Sequence, residues 1–174
     1  MEKQIDLFHK NEKDRLSDLY STSMKEYKKI IGYFGNLKAS IMCIGLAPQI
    51  NHLKSNSNSI FAFDINLNQT THSGGVICRV FKELDLKIED YFWSNLYKIP
   101  VEDVVDKEVF KDMIKGEINI IFPSVIVCLG SEVYNIISKL NLPFSIDIKK
   151  IHHPAYFLRG GISFNKYVEQ WRKI

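Results

Sequence analysis

Two short apolar runs, each closed by a glycine, restrict this chain to a narrow set of architectures. In Ser40-Ile41-Met42-Cys43-Ile44-Gly45 every residue between the serine and the glycine is apolar. A strand with one wet face would alternate, so this run reads as a strand buried on both faces. It ends at Gly45-Leu46-Ala47-Pro48. The run Ser124-Val125-Ile126-Val127-Cys128-Leu129-Gly130 has the same form, and Ser131 after it is placed to cap a helix over Glu132–Leu140. Such strands belong to parallel sheets covered by helices on both sides. Tyr91–Leu96 and Ile146–Ile151 are further strand candidates, and helices are predicted over Gly75–Leu84, Lys107–Ile118 and Ser163–Ile174. The expected fold class is α/β, a three-layer α/β/α arrangement around a short, mostly parallel central sheet. A chain of 174 residues has room for one such domain, covering residues 1–174.

Residues 1–37 are expected to form a helical N-terminal segment packed on that domain. Leu16, Leu19, Tyr20, Met24, Tyr27, Ile30, Ile31 and Phe34 recur at three- and four-residue spacings, as in one or two amphipathic helices, and Gly35-Asn36 supplies a stop. His52–Ser73 is different. It is rich in Asn, Ser and Thr and follows soon after the first strand. A long polar connection in a compact domain is usually functional or mobile. In an open α/β sheet it also lies where ligands bind, beyond the carboxyl ends of the strands.

Composition removes several classes. Hydrophobic residues make up 45% and charged residues 25%, which fits a folded chain and not a disordered one. No apolar run approaches the roughly 20 residues of a membrane span. The start, Met1-Glu2-Lys3-Gln4-Ile5-Asp6, has no apolar stretch behind it, so a signal peptide is not expected either. Cys43, Cys78 and Cys128 are widely spaced and lack CxxC pairing. That argues against a disulfide scaffold, a metal site or an iron–sulfur cluster, and for a reducing cytoplasm. A net charge of +3 is compatible with a nucleic-acid partner.

Four segments fall at the carboxyl ends of the predicted strands: Gly45-Leu46-Ala47-Pro48-Gln49, Ser94-Asn95-Leu96-Tyr97-Lys98-Ile99-Pro100, Leu129-Gly130-Ser131, and His153-Pro154-Ala155-Tyr156-Phe157-Leu158-Arg159. In this order they resemble the uracil-DNA glycosylase superfamily. The first looks like the GEAPG or GLAPA motif of its bacterial and archaeal branches, the second like TNxxKxxP, the third like the ALG strand and turn, and the last like HPSxxxR. The chain also departs from that pattern. Leu46 stands where one branch has glutamate, Ala155 replaces the serine of HPS, the cluster-binding cysteines are missing, and the long His52–Ser73 segment replaces a short F-x-G platform.

The resemblance implies a pocket for a base flipped out of DNA. Breaking an N-glycosidic bond leaves an anionic base and an oxocarbenium-like sugar, so the site needs a donor at the base oxygen and a positioned water. His153 suits the donor role; its other reading is a surface histidine held by a proline turn. His152 reads as a satisfied strand-end residue, since neighbours on a strand point to opposite faces. Asn95, with donor and acceptor on one amide, would read a pyrimidine edge or else cap its own loop. Gly45, Leu46, Ala47 and Pro48 would form the pocket floor. Gln49 and Asn51 are the nearest polar groups for the water, and Asp64 is a more distant carboxylate, read first as a solvated loop residue. Phe61 and Phe63 would either stack on the base or anchor their loop. Tyr156, Phe157 and Leu158, placed on a surface loop, would wedge into the duplex or lie buried under the C-terminal helix. Ser73, Gly74, Gly75, Ser131, Pro154, Ala155 and Arg159 complete the expected DNA-binding set, with Lys149 and Lys150 close to Arg159 in sequence.

The expected function is that of a monofunctional DNA glycosylase, needing no metal or cofactor, acting on DNA as a monomer. Uracil is the default base. A bulkier modified pyrimidine, including the hydroxymethylated or glucosylated cytosine of phage DNA, is the alternative, and would make the role antiviral defence instead of repair. From other classes, a catalytically silent DNA-binding member and a nucleotide-binding α/β protein remain open.

Overall fold

The structure, a computed structural model, describes residues 2–20, 33–48, 59–60, 63–64, 72–104, 106–142 and 144–174. Its centre is a five-stranded sheet. The strands are β1 (Phe34–Gly35), β2 (Ile41–Gly45), β5 (Phe92–Asn95), β6 (Val125–Leu129) and β7 (Asp147–Ile151), in the spatial order β1-β5-β2-β6-β7. A separate two-stranded ribbon is made of β3 (Ser59–Ile60) and β4 (Phe63–Asp64). Strands β5, β2, β6 and β7 run parallel, and β1 is antiparallel to β5. The two apolar runs lie side by side, with Cys43 opposite Val127 and Ile44 opposite Cys128. All four predicted strands are present, each within a residue or two of its expected bounds.

Helices α1 (Glu2–Leu19), α2 (His72–Glu83), α3 (Lys107–Ile121), α4 (Ser131–Ile137), α5 (Pro154–Leu158) and α6 (Phe164–Trp171) surround the sheet. The pleat divides the core in two. Met42, Ile44, Phe92, Leu96, Ile126 and Cys128 pack under α3 and α4, together with Leu16 and Tyr20 at the end of α1. Cys43, Trp93, Val127, Leu129 and Ile151 pack on the other side with α2 and α6. This is the three-layer arrangement expected. Burial raises the Cys128 thiol to about 12 and the Cys43 thiol well above its ordinary value, so both behave as apolar fillers.

Several local expectations are corrected. Helix α1 runs from Glu2 to Leu19, and Leu19, expected on its apolar stripe, is exposed. Gly35 does not stop a helix: it pairs with Phe92 across the β1–β5 ladder at φ 102°, where a Cβ would meet the Tyr91 carbonyl oxygen at 1.8 Å. Met24, Tyr27, Ile30 and Ile31 lie outside the described residues. Helix α2 starts at His72, so Ser73, Gly74 and Gly75 belong to its first turn. The segment before it contains the β3–β4 pairing, with Ile60 opposite Phe63. Ser131 is not a capping residue. Gly130 occupies that position at φ 107°, and Ser131 is the first helical residue.

Chain order explains where a site can form. Strand β2 is followed through α2 by its neighbour on one side, β5. From there α3 carries the chain across to β6, on the other side of β2. Connections that leave a strand in opposite directions open a crevice at the carboxyl edge of a parallel sheet. Gly45, Asn95, Gly130 and His153 all lie at or just beyond that edge.

Candidate active site

His153 follows the last strand and takes the N-cap position of α5, and Pro154 fills the first helical position with its fixed φ. Its Nδ1 accepts a hydrogen bond from the Ala155 N–H at 3.1 Å. An imidazole nitrogen that accepts carries no proton, so the ring proton sits on Nε2. Burial lowers the His153 pKa, and the Arg159 guanidinium lowers it further. At neutral pH the ring is therefore a neutral donor of fixed tautomer. Gly130 faces it at φ 107°, a conformation L side chains rarely adopt, and that backbone shape is what calls for glycine: a Cβ there would make only ordinary contact with the His153 Cβ at 3.5 Å. The Gly130 N–H also donates to Ile151 O at 2.9 Å, tying the β6 turn to the end of β7.

Beside His153 lies an open depression of about 600 Å³ lined by residues that include Gly130, Ser131, Lys150, His152, Tyr156 and Arg159. Two cations line it and no carboxylate does. Lys149 does not join them, being paired with Asp147 at 3.0 Å. His152 is satisfied as expected: its backbone N–H donates to Gln170 Oε1 at 2.8 Å, and its Nδ1 is 2.7 Å from Gln170 Nε2.

Tyr156, Phe157 and Leu158 lie on a helix and not on a loop, and that separates them. Tyr156 and Leu158 are exposed. Phe157 turns inward onto Phe164 and Tyr167, so the alternative of burial under the C-terminal helix holds for it and not for its neighbours. The Tyr156 ring stacks on His152 at 4.8 Å and 12°. A Cβ on Gly161 would collide with that ring at 2.4 Å, so glycine there lets the tyrosine lie flat.

On the other side of the crevice Asn95 ends β5 opposite Gly45 and is 4% exposed. Leu96 and Tyr97 donate their N–H groups to the carbonyls of Gly45 and Leu46, both at 2.8 Å. The turns after β2 and β5 are thus zipped together, and these carbonyls of the expected pocket floor are used in joining them. Pro48 is buried, and Leu46 and Ala47 are half-buried. Gln49, Asn51 and Phe61 lie outside the described residues. Phe63 and Asp64 form β4, and Ser73, Gly74 and Gly75 sit in α2.

One cluster went unread in the sequence. Ser94, Lys98 and Glu117 are wholly buried behind Asn95. The Ser94 hydroxyl donates to Glu117 Oε2 at 2.6 Å and accepts from Lys98 Nζ at 2.5 Å. Lys98 Nζ also lies 2.6 Å from Glu117 Oε1, and His9 Nε2 of α1 lies 3.1 Å from the same oxygen. Burial opposes ionisation of Glu117, but Lys98 and His9 outweigh it and hold its pKa below the ordinary value. A signal was available: Glu117 falls on the stripe Phe110, Met113, Ile114, Ile118 and Ile121, where an unpaired carboxylate would not be tolerated.

Among the described residues no group of His, Cys, Asp and Glu suits a metal ion, and no helix is long and apolar enough to cross a membrane. Comparison with curated proteins finds no match. A family model, that of the uracil DNA glycosylase superfamily, matches residues 32–174. The match takes in all the described strands and α2 to α6, and leaves α1 outside. With a mostly parallel sheet under helices on both faces, and that match over most of its length, the chain belongs to the uracil DNA glycosylase superfamily, whose members are in general DNA glycosylases acting on DNA.

Proposed function

We propose that the protein is a monofunctional DNA glycosylase that draws a uracil or modified pyrimidine out of DNA and hydrolyses its N-glycosidic bond. The observation that carries this reading is His153. Its Nδ1 is committed to Ala155, its proton is on Nε2, and its environment keeps the ring neutral. As the bond from C1′ to the base nitrogen breaks, the electron pair goes to the base and charge develops on its oxygen. A preset Nε2–H is then a donor needing no reorganisation, typically worth about 3–4 kcal/mol. Water supplies hydroxide to C1′ and a proton to the base, and an abasic site remains. Asn95 would read the pyrimidine edge. Lys150, Arg159 and the Ser131 hydroxyl would meet phosphate, with Tyr156 and Leu158 as the exposed apolar groups that fill the gap in the stack.

The test is incubation with duplexes carrying uracil or different modified pyrimidines, followed by alkaline cleavage at abasic sites. Strand breaks at one base class support the reading, and none with any of them refutes it. A second reading has its own support. Residues 49–71 between β2 and α2 are rich in polar side chains and contain the β3–β4 ribbon, as a site for a hydroxylated or glucosylated cytosine would require. A site built on such polar contacts rejects the base that lacks them, so uracil would then be a poor substrate. The protein would act in the cytoplasm, in antiviral defence if the modified base is the substrate and in repair if uracil is.

A further inference from the structure

We infer that Glu117 and Lys98 are positioning residues for Asn95, forming a dry ionic clamp that fixes the turn after β5 from behind. The inference rests on the reading of Asn95 as the base-reading residue. Ser94 and Lys98 bracket the Asn95-Leu96-Tyr97 turn in sequence, and both close onto the one carboxylate of Glu117. The front of the same turn is held by Leu96 and Tyr97 on Gly45 and Leu46. Asn95 is thereby held on both sides. A bidentate amide needs this, because an error near 1 Å can cost about a hundredfold in rate.

The clamp is not needed merely to fill space. Replacing a buried ion pair by apolar residues of similar volume is often neutral or stabilising, because both ions must give up their hydration. What an ion pair adds over leucine and methionine is direction. Helix α1 completes the arrangement although it lies outside the residues matched by the family model. His9 reaches Glu117, and Phe8 packs on Gly116, where a Cβ would meet its ring at 2.4 Å. The helix thus covers the clamp and keeps water from it.

The decisive experiment is single-turnover excision by Lys98→Met/Glu117→Gln, which removes both charges together, alone and combined with Asn95→Ala. A folded double variant that binds DNA normally should excise roughly 10–100-fold more slowly. In the Asn95→Ala background the same pair should cost less than about twofold, since residues acting through one group are not additive. Parental rates in the folded double variant overturn the inference, and so do losses that simply multiply. Should the double variant not fold, Ser94→Ala deletes the hydroxyl bridge and keeps the pair. It should show a smaller loss with the same non-additivity, and parental activity in it overturns the clamp. If the parent protein excises no base at all, the glycosylase reading fails by itself. Amide exchange at Leu96 and Tyr97 then decides the clamp: faster exchange in the charge-free variant supports it, and unchanged protection refutes it.

Discussion

The carboxyl edge of the sheet is flanked by two sets of charges that the protein treats in opposite ways. Behind Asn95, Lys98 and Glu117 are fully buried, paired with each other at 2.6 Å, bridged by the Ser94 hydroxyl and approached by His9 at 3.1 Å. Around His153, Lys150 and Arg159 line an open depression with no carboxylate among its lining residues. The first set has its partner inside the fold, so its energy is spent on geometry. The second faces no carboxylate across the depression, and on the proposed reading it would meet the phosphates of DNA.

The contrast is easiest to break on the buried side, where the largest effect is expected. Glu117→Ala strands the Lys98 ammonium in the core and should cost about 3–5 kcal/mol, read from urea unfolding. A loss under about 1 kcal/mol would mean that the two sets are not different in kind. On the open side, His153→Ala should leave binding intact and reduce excision by roughly 10²–10³-fold. His153→Asn retains a good N-cap acceptor for α5 and should restore stability without restoring rate. Activity within about twofold of the parent in both variants would remove His153 from the chemistry.

Acidity provides a finer measure. The His153 pKa lies below its ordinary value because of burial and then Arg159, so the neutral donor should persist below the usual imidazole range. Excision should fall on the acid side as the ring gains a proton, and Arg159→Gln should move that limb to higher pH by removing the second cause. A folded pKa below the unfolded one also stabilises the fold above the unfolded value, and this is lost as pH falls through the folded value. An acid limb unmoved by Arg159→Gln would separate the guanidinium from the histidine. The smallest effect distinguishes two neighbours. Lys150→Ala should weaken DNA binding and flatten its salt dependence by about one unit of slope. Lys149→Ala should do almost nothing, because Lys149 is half-buried and already paired with Asp147.

What could be read in advance follows from range. The strands Ile41–Gly45 and Val125–Leu129 are local patterns, and burial on both faces leaves a run with no alternation to misread. The placement of Asn95 and His153 at the carboxyl ends of strands was legible for the same reason. The two-residue strand Phe34–Gly35 has no period, and the five-residue helix Pro154–Leu158 has too few turns to show one. Phe157 and Tyr156 therefore looked alike until the helix turned one inward. The clamp was hidden for a different reason. Its members lie on α1, on β5 and the turn after it, and on α3, up to 108 residues apart, and nothing local joins His9 to Glu117.

The ends of the sheet bear on how copies of the molecule behave when crowded. An outermost strand presents unpaired amides and carbonyls, a ready template for a strand from another chain. Among the described residues one boundary is β1, only two residues long and reversed against its neighbour. The other is β7, whose sequence Asp147-Ile148-Lys149-Lys150-Ile151 places charges along the rim. A short stub and a charged rim are both poor docking templates, so sheet-to-sheet growth is discouraged at either end. The same lysine that faces the depression thus also helps keep the molecule from polymerising through its own edge.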